Sequence, residues 1–143
     1  MIAIYKKQDG SCGALIQCDF NVSIADIVAK DAPKNPDGST PEFVSVFDTE
    51  IPDLEYIGSF KLNGKKVDID IDKAKEIRRN HFRALRKAKL EKLDIEAIKA
   101  LESGDSVKLA DISSKKQALR DVTKIPLPDT LEEIKATLPA ILA

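Results

Sequence analysis

One histidine and two cysteines are the only side chains in this chain whose ordinary pKa lies near neutral pH. His81 stands beside Phe82 within a run of basic residues. A general acid or base needs a positioned partner, and nothing in the spacing supplies one. His81 therefore reads as a helix residue used in packing or at the surface. Cys12 and Cys18 have five residues between them and form neither a CxxC pair nor a zinc-ligand pattern. With no export signal preceding them, they read as reduced, structural thiols. There is no GxSxG elbow to present a serine. Asp9-Gly10-Ser11-Cys12-Gly13 lacks the Lys-Ser/Thr pair of a phosphate loop and is not GxGxxG. Glu132-Glu133 falls in the first turn of an expected helix, where the helix dipole favours carboxylates without any catalysis. Asp68 and Asp70 alternate with apolar residues and read as solvated positions rather than metal ligands. The sequence predicts no catalytic residues, no cofactor and no metal.

The strongest candidate for a binding surface is electrostatic. Residues 1–72 carry 7 basic and 13 acidic side chains, a net charge of −6. Residues 73–92 carry 9 basic and 2 acidic, net +7, and residues 93–143 carry 7 and 9, net −2. Arg78, Arg79, Arg83, Arg86 and Lys87 could line phosphates. Against nucleic acid stand the pI of about 5.9 and a scarcity of stacking aromatics, five Phe, two Tyr and no Trp. The favoured reading is a solvated helix face paired to the acidic first half, or a protein partner. Arg78, Arg83 and Arg86 are the partner-contact candidates here. Ile141 and Leu142, after Pro139, are either a clasp on the core or a further partner contact.

The elements that would position these groups follow from periodicity. The chain has 143 residues, 43% hydrophobic and 33% charged. That suffices for one domain or two small ones with a core that needs no disulfides. No run of 18 apolar residues is present, so no transmembrane helix and no membrane partner are expected. The lysines after the short apolar run of MIAIYKKQDG do not suit a signal peptide.

Residues 1–71 read as a β-rich domain. Met1 to Tyr5 and Ala14 to Cys18 suggest a hairpin around Asp9-Gly10. Ser23 caps a short helix bearing Ile24, Ile27 and Val28. Lys30 to Pro41 is a loop, Phe43 to Phe47 is a β-like run, and Pro52-Asp53 marks a turn. Ile57, Phe60 and Leu62 lead to Asn63-Gly64, after which Val67, Ile69 and Ile71 alternate with polar residues. The period of two predicts a hairpin closed by a type I′ turn.

Residues 72–143 read as an α-helical domain. Asp72 would cap a long helix over about 73–103, with Ala74, Ile77, His81, Ala84 or Leu85, and Ala88 on one face. Leu90, Leu93, Ala97, Ala100 and Leu101 continue the stripe at shifted phase. The segment is therefore one helix about 46 Å long or two broken near Asp94, and the single helix is favoured. Gly104 suits its C-terminal stop. A return helix over about 106–122 carries Leu109, Ile112, Lys116 and Leu119 on one side. Thr130-x-x-Glu133 is a capping box for a short helix over about 131–138. The fold class is α+β, with a C-terminal antiparallel helical hairpin.

Three segments in order carry a family resemblance: Val67-Asp68-Ile69-Asp70-Ile71-Asp72-Lys73-Ala74-Lys75-Glu76-Ile77; then Leu90-Glu91-Lys92-Leu93-Asp94 with Lys99-Ala100-Leu101-Glu102-Ser103-Gly104-Asp105; then Lys116-Gln117-Ala118-Leu119-Arg120-Asp121-Val122-Thr123-Lys124 before Pro126 and the Thr130 capping box. Across about residues 56–138 the chain resembles small bacteriophage tail assembly chaperones, or tail-fibre assembly proteins. Phe60 and Leu138 stand where that family often has Trp. The resemblance implies a non-enzymatic assembly factor, acting in the host cytoplasm on a tail-fibre or adhesin protein as it folds and trimerises. The alternative is a small structural component of the tail or baseplate. It also implies packing and capping roles, rather than partner contacts, for Gln117, Leu119, Arg120 and Asp121.

Overall fold

The computed structural model describes residues 1–50 and 53–143. The turn expected at Pro52 thus lies outside the described residues. Five strands and four α-helices follow one another as β1 (Ile2–Lys6), β2 (Cys12–Ile16), α1 (Ile24–Asp31), β3 (Phe43–Val46), β4 (Phe60–Asn63), β5 (Lys66–Ile69), α2 (Ile71–Glu102), α3 (Ser106–Asp121) and α4 (Leu131–Ala136). The fold is α+β. The chain forms two compact units, Met1–Ile77 and Arg78–Ala143. Their boundary falls inside α2, after Ile77, although the sequence reading divides the chain at Asp72, where the period changes.

In the first unit, β1 is the central strand of an antiparallel sheet ordered β2-β1-β3. Alternation makes both of its faces apolar. Ala3 and Tyr5 pack with Leu15 and Phe43 against Ile24, Val28 and Ala32 of the α1 region. Ile2 and Ile4 point the other way and are equally buried, as is Cys12 opposite Lys6. The Cys12 thiol donates to the Phe60 carbonyl at 3.2 Å, and burial pushes its pKa up, so it is a packing group rather than a nucleophile. Both cysteines are free thiols.

Two loops of this unit use the same tripeptide in the same way. In Asp9-Gly10-Ser11 and Asp37-Gly38-Ser39 the aspartate Oδ1 accepts from the serine N–H at 2.9 Å and from its Oγ at 2.6 Å. The glycines take φ of +80° and +82°, where a side chain would be strained. These bonds favour the ionised carboxylates and lower both pKa values. Asp9-Gly10-Ser11 is therefore a turn device closing β1 onto β2.

Across that hairpin, Tyr5 faces Gly13, and a Cβ at Gly13 would lie 2.3 Å from the tyrosine ring. The ring occupies the space that the glycine leaves. Gly13→Val is expected to cost about 1–3 kcal/mol through overpacking. Urea unfolding would show it as a lower midpoint, and Gly13→Val with Tyr5→Ala would recover part of the loss.

The β4–β5 hairpin is present, but its turn differs from the expected one. Asn63 pairs with Lys66, so the loop is Gly64-Lys65, with Gly64 at φ +60° and no non-glycine residue at positive φ among the described residues. A positive φ at the first loop position alone belongs to the type II′ class. The register explains the choice. It sets Phe60 opposite Ile69 and Leu62 opposite Val67. Centring the turn on Asn63-Gly64 would have placed Leu62 opposite Lys65 and Lys61 opposite Lys66, an apolar–charged pair and a like-charge pair.

The cap of α2 is also displaced. The N–H of Lys73 reaches Asp70 Oδ1 at 3.2 Å, so Asp70, not Asp72, closes the helix start. Asp70 additionally pairs with Lys61 Nζ at 2.7 Å, and its own N–H donates to the Ser59 carbonyl. It is thus a fixed group rather than a solvated one. Its pKa is lowered first by Lys61 and then by the Lys73 N–H. A lowered folded pKa adds stability above the unfolded value near 3.8 and loses it as pH falls through the folded value. Thermal melts of the wild type are expected to fall below about pH 4. Asp70→Asn, which can still cap but carries no charge, should show a lower neutral-pH Tm and a flatter acid limb.

In the second unit α2 runs unbroken through Asp94 to Glu102. It stops at Gly104, φ +69°, where the Asp105 N–H returns to the Ala100 carbonyl and the Gly104 N–H to Leu101. This is a Schellman motif. Asp105 then caps α3 by accepting from the Lys108 N–H at 2.9 Å. On α3, Ile112 and Leu119 are buried, with Leu109 and Lys116 half-buried, as the stripe predicts. Lys116 Nζ holds Asp94 Oδ1 at 2.6 Å, tying α3 to α2. Thr130 caps α4, accepting from the Glu133 N–H at 3.4 Å while its own hydroxyl donates to the Glu133 carboxylate at 2.7 Å. Gln117 Nε2 and Lys124 Nζ both donate to the Asp121 carboxylate and lower its pKa.

Candidate functional site

The basic segment is where sequence reasoning put the partner contacts, and its geometry is informative. Arg78 donates through Nε at 3.0 Å and Nη2 at 2.6 Å to the Thr137 carbonyl, at the C-terminal end of α4. Its guanidinium also lies 5.3 Å from the Phe82 ring centroid. Arg86 Nη1 donates to the Arg120 carbonyl at 3.0 Å, at the end of α3. Lys89 Nζ donates to the Ile141 and Ala143 carbonyls at 3.0 and 2.8 Å. Three cations of one helix therefore satisfy carbonyls at the ends of later elements, where backbone acceptors lack helical partners. These partners are neutral carbonyls. Arg83, exposed, donates to Asn80 Oδ1. Arg78→Ala removes two charge-assisted bonds and should cost about 1.5–3 kcal/mol, read as a lower Tm of the helical unit.

This arrangement also explains the shifted phase of the apolar stripe. The face of α2 that packs inward runs through Phe82, Leu90 and Leu93, and reaches Ala100. Ala84, Leu85 and Ala88, expected on that face, are exposed. The methylene stems of Arg78, Arg86 and Lys89, all half-buried, fill the positions where an apolar residue was sought. His81 is half-buried on the same helix.

The C-terminal candidates separate. Leu142 is 4% exposed and belongs to the cluster of Phe82, Leu119, Val122 and Leu127, so it is a clasp on the core. Ile141 is 37% exposed. Among Gln117, Leu119, Arg120 and Asp121, Leu119 packs in the core, and Arg120 contributes its carbonyl to Arg86.

Two surfaces of the helical unit remain. At the far end of the α2–α3 hairpin, Ile98, Leu101 and Val107 are 57%, 64% and 80% exposed, with Ile95 similar. Leu101 had been assigned to the packed stripe. In the row Ile95, Ile98, Leu101 the spacing is three, so each side chain is a neighbour of the next. Bonds from the C-terminal segment reach Arg78 and Lys89. Ile95 and Ile98 lie outside the stripe that the sequence reading traced, and their spacing of three is the signal that could have found them. The other surface is an open groove lined by Arg83, Arg86, Lys87, Leu90 and Glu91. Among the described residues no group of three or more His, Cys, Asp and Glu is placed to hold a metal ion. No helix is long and apolar enough to cross a membrane among those residues.

Comparison with known proteins found no matching family model, no matching curated protein and no matching solved structure.

Proposed function

We propose that this protein is a non-enzymatic assembly chaperone that binds a phage tail-fibre or adhesin protein in the host cytoplasm and assists its folding or trimerisation. One observation carries the reading: the aliphatic row Ile95, Ile98, Leu101 on α2 stands in solvent, as does Val107 in the first turn of α3. A contiguous exposed apolar surface marks an interaction site. The resemblance over residues 56–138 supplies the client. A fibre trimer exposes apolar strand edges before it closes, and those edges aggregate. A folded partner that covers them raises the assembly-competent population by mass action and makes or breaks no covalent bond.

The test is co-expression with the neighbouring phage fibre gene product. Soluble, trimeric fibre should rise when this chain is present, and the two should co-purify. Ile98→Asp with Val107→Asp should remove both effects while leaving the helical content intact. Unchanged fibre solubility without co-purification would overturn the proposal. Stoichiometric copies in purified particles would favour the tail-component alternative.

A further inference from the structure

We infer that the groove lined by Arg83, Arg86, Lys87, Leu90 and Glu91 docks an acidic polypeptide segment, with carboxylates flanking an apolar side chain, contributed by the client. The inference deepens the assembly reading and rests on it for the identity of the partner, but not for the chemistry of the groove.

Three observations carry it. The first is charge. Residues 73–92 hold nine basic and two acidic side chains, and the partners found for Arg78, Arg86 and Lys89 are neutral carbonyls. Hydrogen bonding to a carbonyl positions a cation without cancelling its charge, so Arg86 brings its positive charge to the groove intact. The second is preorganisation. Arg86 is held by the Arg120 carbonyl at 3.0 Å, and its guanidinium is fixed before any ligand arrives. A carboxylate meeting it spends less side-chain entropy than one meeting a free arginine. The third is composition. Leu90 is half-buried against the Phe82 cluster and gives the groove an apolar component among its three cations. A lone phosphate or a nucleic-acid backbone has no use for that component, whereas an apolar side chain between two carboxylates satisfies both.

The extent of the groove argues the same way. Its lining spans Arg83 to Glu91, about 12 Å along a helix at 1.5 Å per residue. That is the reach of a few peptide residues rather than a tract of phosphates. The chain as a whole carries a net charge of −1, which opposes general polyanion binding.

Fluorescence anisotropy of the full chain would test the groove with a labelled 12-residue peptide of Asp and Glu around a central Leu-Phe. The controls are the same peptide with Asn and Gln, and a 12-nucleotide single strand. The acidic peptide should bind at least tenfold more tightly than the amide peptide and more tightly than the oligonucleotide, with affinity falling as salt rises. Arg83→Glu with Lys87→Glu should lower that affinity at least tenfold while the helical ellipticity at 25 °C stays that of the wild type, which shows that the variant is folded. Equal binding of the two peptides, tighter binding of the oligonucleotide, or indifference to the double variant would overturn the inference. So would a dimer in light scattering that the double variant abolishes, since the occupant would then be a second copy. In co-expression the same double variant should fail to solubilise the fibre. Full fibre solubilisation by it would sink the groove's role while leaving the chaperone reading standing.

Discussion

Phe82→Ala is expected to lower the stability of the helical unit by about 3–5 kcal/mol. Phe82 is fully buried and belongs to the cluster formed with Leu119 of α3, Val122, Leu127, and Leu142 near the C-terminus. Its removal leaves a cavity walled by elements that are pinned elsewhere. Arg86 holds the end of α3, Arg78 the end of α4, and Lys89 the final turn, so the walls cannot collapse freely. The Arg78 guanidinium also loses the ring it lies over. Chemical denaturation followed at 222 nm should show an earlier transition. The control is Leu85→Ala, three residues along the same helix. Leu85 is 46% exposed, and its truncation should stay within about 0.5 kcal/mol. Equal effects of the two substitutions would mean that the packed face of α2 runs through Leu85 after all.

That pair of residues also shows what the sequence could and could not reveal. Where a signal is local, the chain displays it openly. The alternation of Val67 and Ile69, Gly104 as a helix stop, and the Thr130 cap each depend on residues within one turn, and each sits where the pattern puts it. Where two local solutions are equally good, a distant residue decides. Asp70 and Asp72 are both competent caps, and the choice falls to Lys61 and the Ser59 carbonyl across the hairpin. Asn63-Gly64 is a sound type I′ turn, overruled by the pairing of Leu62 with Val67.

The candidate site was legible in part for the same reason. A basic run is visible in the sequence, but what its members face is not. Arg78 and Arg86 were singled out for their charge, and both spend donors on carbonyls 59 and 34 residues away. Leu142 was read as either clasp or contact, and only the position of Phe82 distinguishes the two. The exposed row Ile95, Ile98, Leu101 looks like any other helical stripe until its cover is sought. The segment after α3 spends its own apolar residues Leu127 and Leu142 on the Phe82 cluster.

Leu93→Pro is expected to abolish the long helix as one element and to cost about 3 kcal/mol or more. Proline at this position has no N–H to donate to the Lys89 carbonyl, and its ring would collide with that same carbonyl. The loss spreads further than a single bond. Leu93 is half-buried against the Phe82 cluster, so its side-chain contacts go with it. Asp94, the next residue, holds Lys116 at 2.6 Å, and a kink at position 93 would swing it away from α3. Lys89 would be disturbed from below, and with it the bonds to the Ile141 and Ala143 carbonyls that close the C-terminal turn. The helical unit should therefore melt at a lower temperature and lose helical ellipticity before heating begins. Leu93→Ala separates the two causes, because it removes the packing and keeps the backbone, and it should be the milder of the pair. A proline variant that melts like the wild type would show that the chain tolerates a break beside Asp94, and the continuous helix on which the hairpin and its exposed end depend would have to be given up.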